Sequence, residues 1–143
     1  MEGARMWDRS KVPGGDIAKA VWEDLRSMPK HNVKVEDPNP TTHPERNPLQ
    51  SQHHSAEEVE AIATHLKRTL EGVVVEIFSK AREAAIAAGE KQMVDAEEPL
   101  RVRWIEAYFP FTSPSWELEV FWQGEWLELL GCGVPKQDLL ARS

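Results

Sequence analysis

Between Arg101 and Val134 the chain alternates. Val102 and Trp104 alternate with Arg101 and Arg103, and Trp116, Leu118, Val120 and Trp122 alternate with Glu117, Glu119 and Phe121. A side-chain period of two belongs to strands with one face in a core and the other toward water, so this stretch is expected to be an antiparallel sheet. Gln123-Gly124 separates two tryptophan-bearing runs, and a glycine there supplies the positive φ that a tight hairpin turn requires. The third run, Trp126 to Leu130, meets Gly131-Cys132-Gly133. Glycine inside a strand marks a bulge or a place where a ligand or another backbone comes close, and the pattern leaves both open.

Upstream the period changes to that of a helix. Ser55-Ala56-Glu57-Glu58 has the capping-box spacing. Val59, Ile62, Leu66, Leu70, Val73, Ile77 and Ala81 then follow in an i, i+3/i+4 series. The spacing predicts a helix over 56–88, closed by Gly89 and ~50 Å long, with Gly72 an interior weak point of roughly 1 kcal/mol. A shorter helix is expected from Asp16, a good N-cap, to about Met28, with Ile17, Val21, Leu25 and Met28 on one face. Between the two helices, residues 29–54 hold Pro29, Pro38, Pro40, Pro44 and Pro48 among asparagines and histidines. Such a composition reads as a flexible loop or insertion. Met1 to Trp7 reads as a short strand, and Lys91 to Pro99 as an acidic connection. The expected fold is therefore α+β: one domain over 1–143, with antiparallel strands in 100–134 packed on a long amphipathic helix.

Charge and cysteine content narrow the function. With 17 Lys+Arg against 24 Asp+Glu, a net charge of −7, and no basic cluster, the chain offers no strong nucleic-acid surface of its own. Cys132 stands alone, which excludes an internal disulfide, and nothing beside it lowers its pKa, so it is not read as a nucleophile. His43, His53, His54 and His65 follow no ligand spacing and predict no metal site. No apolar run approaches the length of a membrane span. Trp104, Trp116, Trp122 and Trp126 are expected in the core rather than on a carbohydrate platform.

The motifs in the alternating stretch carry a resemblance. Tyr108-Phe109-Pro110-Phe111-Thr112, Pro114-Ser115, Gly124-Glu125-Trp126-Leu127-Glu128 and Leu130-Gly131-Cys132-Gly133-Val134 resemble, in order and spacing, the catalytic core of phenylalanine–tRNA ligases, which are class II aminoacyl-tRNA synthetases. The run Gly133-Val134-Pro135-Lys136-Gln137 is more similar to the single-chain mitochondrial form.

The resemblance implies phenylalanine, ATP with Mg²⁺, and tRNA as substrates and partners, reached through the full-length enzyme, and a place in the mitochondrial matrix. It implies that Phe109 and Phe111, with Thr112 beside them, line the phenylalanine pocket, the two rings held apart by Pro110 as a slot for a third. Glu2 would accept the substrate's α-ammonium. Gly131 and Gly133 would let the backbone approach a bound aminoacyl-adenylate, and Glu128 would orient a metal or the ribose. Met1-Glu2-Gly3 resembles the end of the family's Gln-x-Glu-Gly strand. The alignment thus implies a central part of the catalytic domain, an incomplete one, with the ATP clamps outside it. The expectation is that these residues alone do not adenylate phenylalanine and that unpaired strand edges limit solubility. The rival expectation is a non-catalytic interaction protein that keeps the synthetase sheet as a binding surface.

Overall fold

The computed structural model describes residues 6–31, 33–89, 100–122 and 124–140. Helix α1, Ile17–Ser27, starts where Asp16 accepts the Lys19 amide. Helix α2, Ala56–Ala87, opens on the expected capping box, with Ser55 and Glu58 satisfying each other's backbone amides. Strands β1 (Lys34–Glu36), β2 (Arg101–Glu106), β3 (Thr112–Trp122) and β4 (Glu125–Pro135) make one sheet in the order β1-β2-β3-β4. β2, β3 and β4 are antiparallel neighbours. β3 and β4 are joined at Gly124, whose φ of +83° is open to glycine at no steric cost.

The α+β layering stands, but the sheet is mixed rather than antiparallel throughout. β1 runs parallel to β2, with Lys34, Val35 and Glu36 beside Arg101, Val102 and Arg103. It comes out of the stretch 29–54 expected as a loop or insertion. A three-residue strand with one apolar position between two charges carries no period to read. Parallel neighbours need a long crossover, and α2 lies in the chain between β1 and β2. The strand expected at Met1–Trp7 and the connection Lys91–Pro99 fall largely or wholly outside the described residues.

Val102, Trp104, Trp116, Leu118 and Val120 form the buried face of the sheet and pack with Ala63 and Val74 of α2. On the helix's other flank, Ile17 and Val21 of α1 pack with Ala61. α2 is therefore covered on two sides, and its buried residues are not the expected single series. Val59 of that series is buried and Ile62 and Leu70 pack against the two clusters, but Ala61, Ala63, His65, Lys67, Glu71 and Val74 are buried as well, while Ile77 is 56% exposed. The tryptophans divide as well. Trp104 and Trp116 are in the core, but Trp122 is exposed near the hairpin turn, and Trp126 lies half-buried on the sheet's other face against Phe121.

Charged residues can sit under the sheet because each has a partner. Glu71 accepts the Trp104 indole N–H at 2.7 Å, contacts His31 at 3.2 Å and pairs with Arg68. Lys67 pairs with Asp37, the residue after β1, at 2.8 Å, and its ammonium lies 4.1 Å from the centre of the Trp116 ring. Burial lowers the Lys67 pKa, opposed by the hydrogen bond and charge of Asp37. No helix among the described residues is long and apolar enough to cross a membrane.

Asp37→Ala strands a buried ammonium, and breaking a buried pair from one side costs about 3–5 kcal/mol. In urea unfolding followed by tryptophan fluorescence, Asp37→Ala is expected to lose more stability than Lys67→Met. The double variant is expected to recover most of the Asp37→Ala loss. Equal losses that add in the double variant would show that the pair is not coupled.

Candidate active site

Antiparallel partners share a face, so the register that buries Trp116 and Leu118 turns Glu117, Glu119 and their partners Gly131 and Glu128 to the outer face. One extra residue, Leu129, is accommodated between the Leu118–Leu130 and Glu119–Glu128 pairs. A second shift lies between the Thr112–Pro135 and Ser115–Gly133 pairs, so irregularities flank the glycine pair on both sides. What comes close at the glycines is this chain itself. A Cβ at Gly131 would collide with the Phe109 ring, and one at Gly133 would lie 2.5 Å from the Pro114 carbonyl oxygen and 2.8 Å from Thr112. The absence of side chains lets the segment before β3 fold down onto β4.

Phe109-Pro110-Phe111-Thr112 is a tight turn, bridged between Phe109 and Thr112. Proline at its second position presets the backbone and removes a donor. The turn puts the two rings nearly parallel, 16° between planes and 6.0 Å between centres. That separation is less than twice the ~3.5 Å contact distance of carbon atoms, so no third ring fits between them. They form a wall instead of the expected slot. Phe109 rests on Gly131, and Phe111, 59% exposed, gives the wall its open surface. Thr112 begins β3 with its hydroxyl against that of Ser115.

The rest of the outer face is charged. Arg103 donates to Glu119 at 2.6 Å and lies 4.2 Å from the Trp126 ring centre, while Arg101 lies 4.8 Å from that of Phe121. Arg103 is thus committed to Glu119, and Glu117 and Glu128 remain near one another. Partial burial, then the charges of Glu128 and Glu119, raise the Glu117 pKa. Cys132 points to the other face, where burial pushes its thiol up to about 12, so it is no nucleophile at neutral pH. Among the described residues no three His, Cys, Asp or Glu side chains are grouped to hold a metal ion.

Of the residues singled out from the sequence, the structure gathers Phe109, Phe111, Thr112, Gly131 and Gly133 at one end of β3 and β4. Glu128 sits further along the same face, and Glu2 lies outside the described residues. Sequence reasoning missed Asn47 and Gln50. Asn47, 2% exposed, donates to the Ser115 carbonyl and accepts the Ser115 N–H. Gln50 donates to the carbonyls of Ser113 and Pro135. Two carboxamides among prolines look like loop residues, and only their partners distinguish them. A cleft of about 150 Å³, lined by Pro40, Thr42, Val59, Ala63 and Trp116, lies on the helix side of the sheet, away from Phe109.

A family model described as the class II core domain of tRNA synthetases matches residues 56–143. Over its whole length the chain is 40% identical to the mitochondrial phenylalanine–tRNA ligase of Saccharomyces cerevisiae, covering 32% of that protein. It is 38% identical to the mitochondrial phenylalanine–tRNA ligase of Mus musculus over 61% of the chain and 15% of that protein. To the phenylalanine–tRNA ligase alpha subunit of Synechocystis it is 31% identical over 81% of the chain and 32% of that protein. The chain spans about a third of the length of the yeast and Synechocystis relatives.

Gly131→Ala pushes against the far end of a side chain, whereas Gly133→Ala meets a carbonyl that cannot swing away. Overpacking typically costs about 1–3 kcal/mol. Gly133→Ala is therefore expected to lower the melting temperature more than Gly131→Ala, and the reverse order would refute the contact assignments. The acidic face generates a pH prediction. A carboxyl whose folded pKa is raised adds stability below its unfolded pKa, and that contribution is lost as pH rises through the folded value. Glu117→Gln is expected to melt higher than the parent at pH 7, with the difference shrinking as pH falls below the ordinary carboxylate range. A difference independent of pH would exclude this origin.

Proposed function

The chain belongs to the class II tRNA synthetase core family, and from that premise we propose that the protein carrying it is a phenylalanine–tRNA ligase. The observation that carries the reading is the aromatic wall of Phe109 and Phe111, set by Gly131 and Gly133 on the open face of a synthetase sheet. The names of the yeast, mouse and Synechocystis relatives support the substrate. In this reading Phe111 meets the substrate's benzyl ring, a contact worth about 0.5–1.5 kcal/mol beyond area burial. Thr112 borders the pocket beneath it, and Gly131 and Gly133 shape it by leaving room for the Phe109 ring and the Pro114 carbonyl. Glu2 accepts the α-ammonium. The negative potential of Glu117 and Glu128 on the same face favours that cation over a blocked amine.

The reaction proposed has two steps. The phenylalanine carboxylate attacks the α-phosphate of ATP, releasing pyrophosphate, and the terminal ribose of the tRNA then takes the acyl group. Neither step needs a covalent enzyme intermediate, in keeping with a half-buried, protonated Cys132. Positioning and charge neutralisation carry the rate. Mg²⁺ enters with ATP as part of the substrate, and Glu128 offers the oxygen donor that this ion takes. This acidic chain offers no strong surface for the body of the tRNA. The mitochondrial names of the yeast and mouse relatives support a mitochondrial protein, and the matrix is the compartment proposed.

Amino-acid-dependent exchange of pyrophosphate into ATP tests the reading. Among the twenty amino acids, phenylalanine alone is expected to stimulate exchange in the intact enzyme. Phe109→Ala with Phe111→Ala is expected to abolish that response chiefly by raising the KM for phenylalanine. An unchanged KM would sink the proposal.

A further inference from the structure

The aromatic wall hangs from the sheet where the sheet's own pairing becomes irregular. Between Thr112 and Ser115 the β3–β4 register shifts, and β2 has already ended at Glu106, opposite Trp116. The Ala107 amide still donates to the Ser115 carbonyl at 3.1 Å, and residues 43–50 add to what the ladder gives. The Asn47 carboxamide acts as a strand would: Nδ2 donates to the Ser115 carbonyl at 2.9 Å, and Oδ1 accepts the Ser115 N–H at 2.7 Å. Gln50 spans both strands with one carboxamide. Its Nε2 donates to the Ser113 and Pro135 carbonyls, each at 3.0 Å, and its Oε1 accepts the Gln137 N–H at 2.8 Å.

The donors are themselves held. His43 and Asn47 exchange backbone hydrogen bonds at 2.9 and 3.0 Å, and Arg46 between them pairs with Glu106 at 3.3 Å. The Ser113 hydroxyl donates back to the Pro48 carbonyl. This strap touches the two ends that frame the wall, Thr112–Ser115 on one side and Pro135–Gln137 on the other. The Lys136 amide, between them, donates to the Phe111 carbonyl at 2.9 Å. Neither Asn47 nor Gln50 belongs to the hydrophobic clusters that hold the helices to the sheet.

We propose that Asn47 and Gln50 are positioning residues for the Phe109–Thr112 wall, fixing its distance from β4 and so the size of the aromatic side chain accepted there. This rests on the reading that the wall meets phenylalanine. Gln50 sets the separation of the two strand ends, and Asn47 sets the height of the turn above the sheet. Loosening either lets Phe111 drift from its contact position without removing any group that touches the substrate.

The test compares Gln50→Ala, Gln50→Glu and Asn47→Asp in the intact enzyme, titrating L-phenylalanine and 2-naphthylalanine by calorimetry. Asn47→Asp keeps the acceptor and loses the donor. Gln50→Glu keeps the Gln137 contact and sets a carboxylate against two carbonyls. Gln50 is only part-buried, so Gln50→Ala remains informative should the Asn47 variant fail to fold. Each folded variant is expected to lose about tenfold in phenylalanine affinity, the scale of a displacement under 1 Å. The preference for phenylalanine over the larger ring should narrow. Gln50→Ala is expected to keep the parent's melting temperature within a few degrees. Parent-like affinity and ring preference in Gln50→Ala would overturn the inference, as would a loss shared equally by both ligands. An intact parent enzyme that binds neither ligand would remove the phenylalanine reading and this inference with it.

Discussion

The arrangement depends on a helix that turns its charges inward. Lys67 and Glu71 of α2 sit under the sheet, one bound to Asp37 and the other to the Trp104 indole. Apolar contact alone would let a helix slide or rotate over a sheet of similar side chains. A carboxylate that must meet one indole N–H, and an ammonium that must meet one carboxylate, admit a single register. The Lys67–Asp37 pair also fixes the end of β1, which leads into the strap of residues 43–50. With the helix on the inner face, the outer face is left for chemistry.

That face is shaped by what is missing from it. Gly131 and Gly133 remove two side chains from β4, and the space is filled by the Phe109 ring and the Pro114 carbonyl. Aromatic surface thus lies beside carboxylates that cannot all be neutralised, since Arg103 is taken by Glu119 and by the Trp126 ring. A ligand suited to both is amphipathic and carries a cation near a ring. An α-amino acid with a benzyl side chain has that form.

The sheet was legible because a period of two survives along β2 and most of β3, which meet the helix on one face only, and is broken in β4 at Leu129. α2 was legible in its bounds, through Ser55, Glu58 and Gly89, but not in its orientation. Residues that satisfy one another, such as Lys67 with Asp37, break the rule that charge marks the wet side. β1 was invisible because Lys34 and Glu36 belong to a strand too short to show a pattern. The glycines announced a close approach truthfully, but Phe109 as the intruder could not be read from them. Asn47 and Gln50 act through partners that lie 68 and 63 to 87 positions away in sequence, and no local pattern encodes such a contact.

On the proposed reading, rejecting tyrosine is harder for this face than accepting phenylalanine. A merely apolar wall rejects an added hydroxyl only modestly, since nothing is left unpaired except the hydroxyl itself. Discrimination then rests on how little the wall yields, because a ring that can shift will find water or a carboxylate for its hydroxyl. Core packing does not supply that stiffness here, for Phe111 is largely exposed and the ladder beneath it is interrupted. It comes from directed hydrogen bonds, whose geometry degrades steeply with displacement. The carboxamides of Asn47 and Gln50 are the groups placed to provide them. If the rings meet phenylalanine as proposed, selectivity is a property of the strap as much as of the rings.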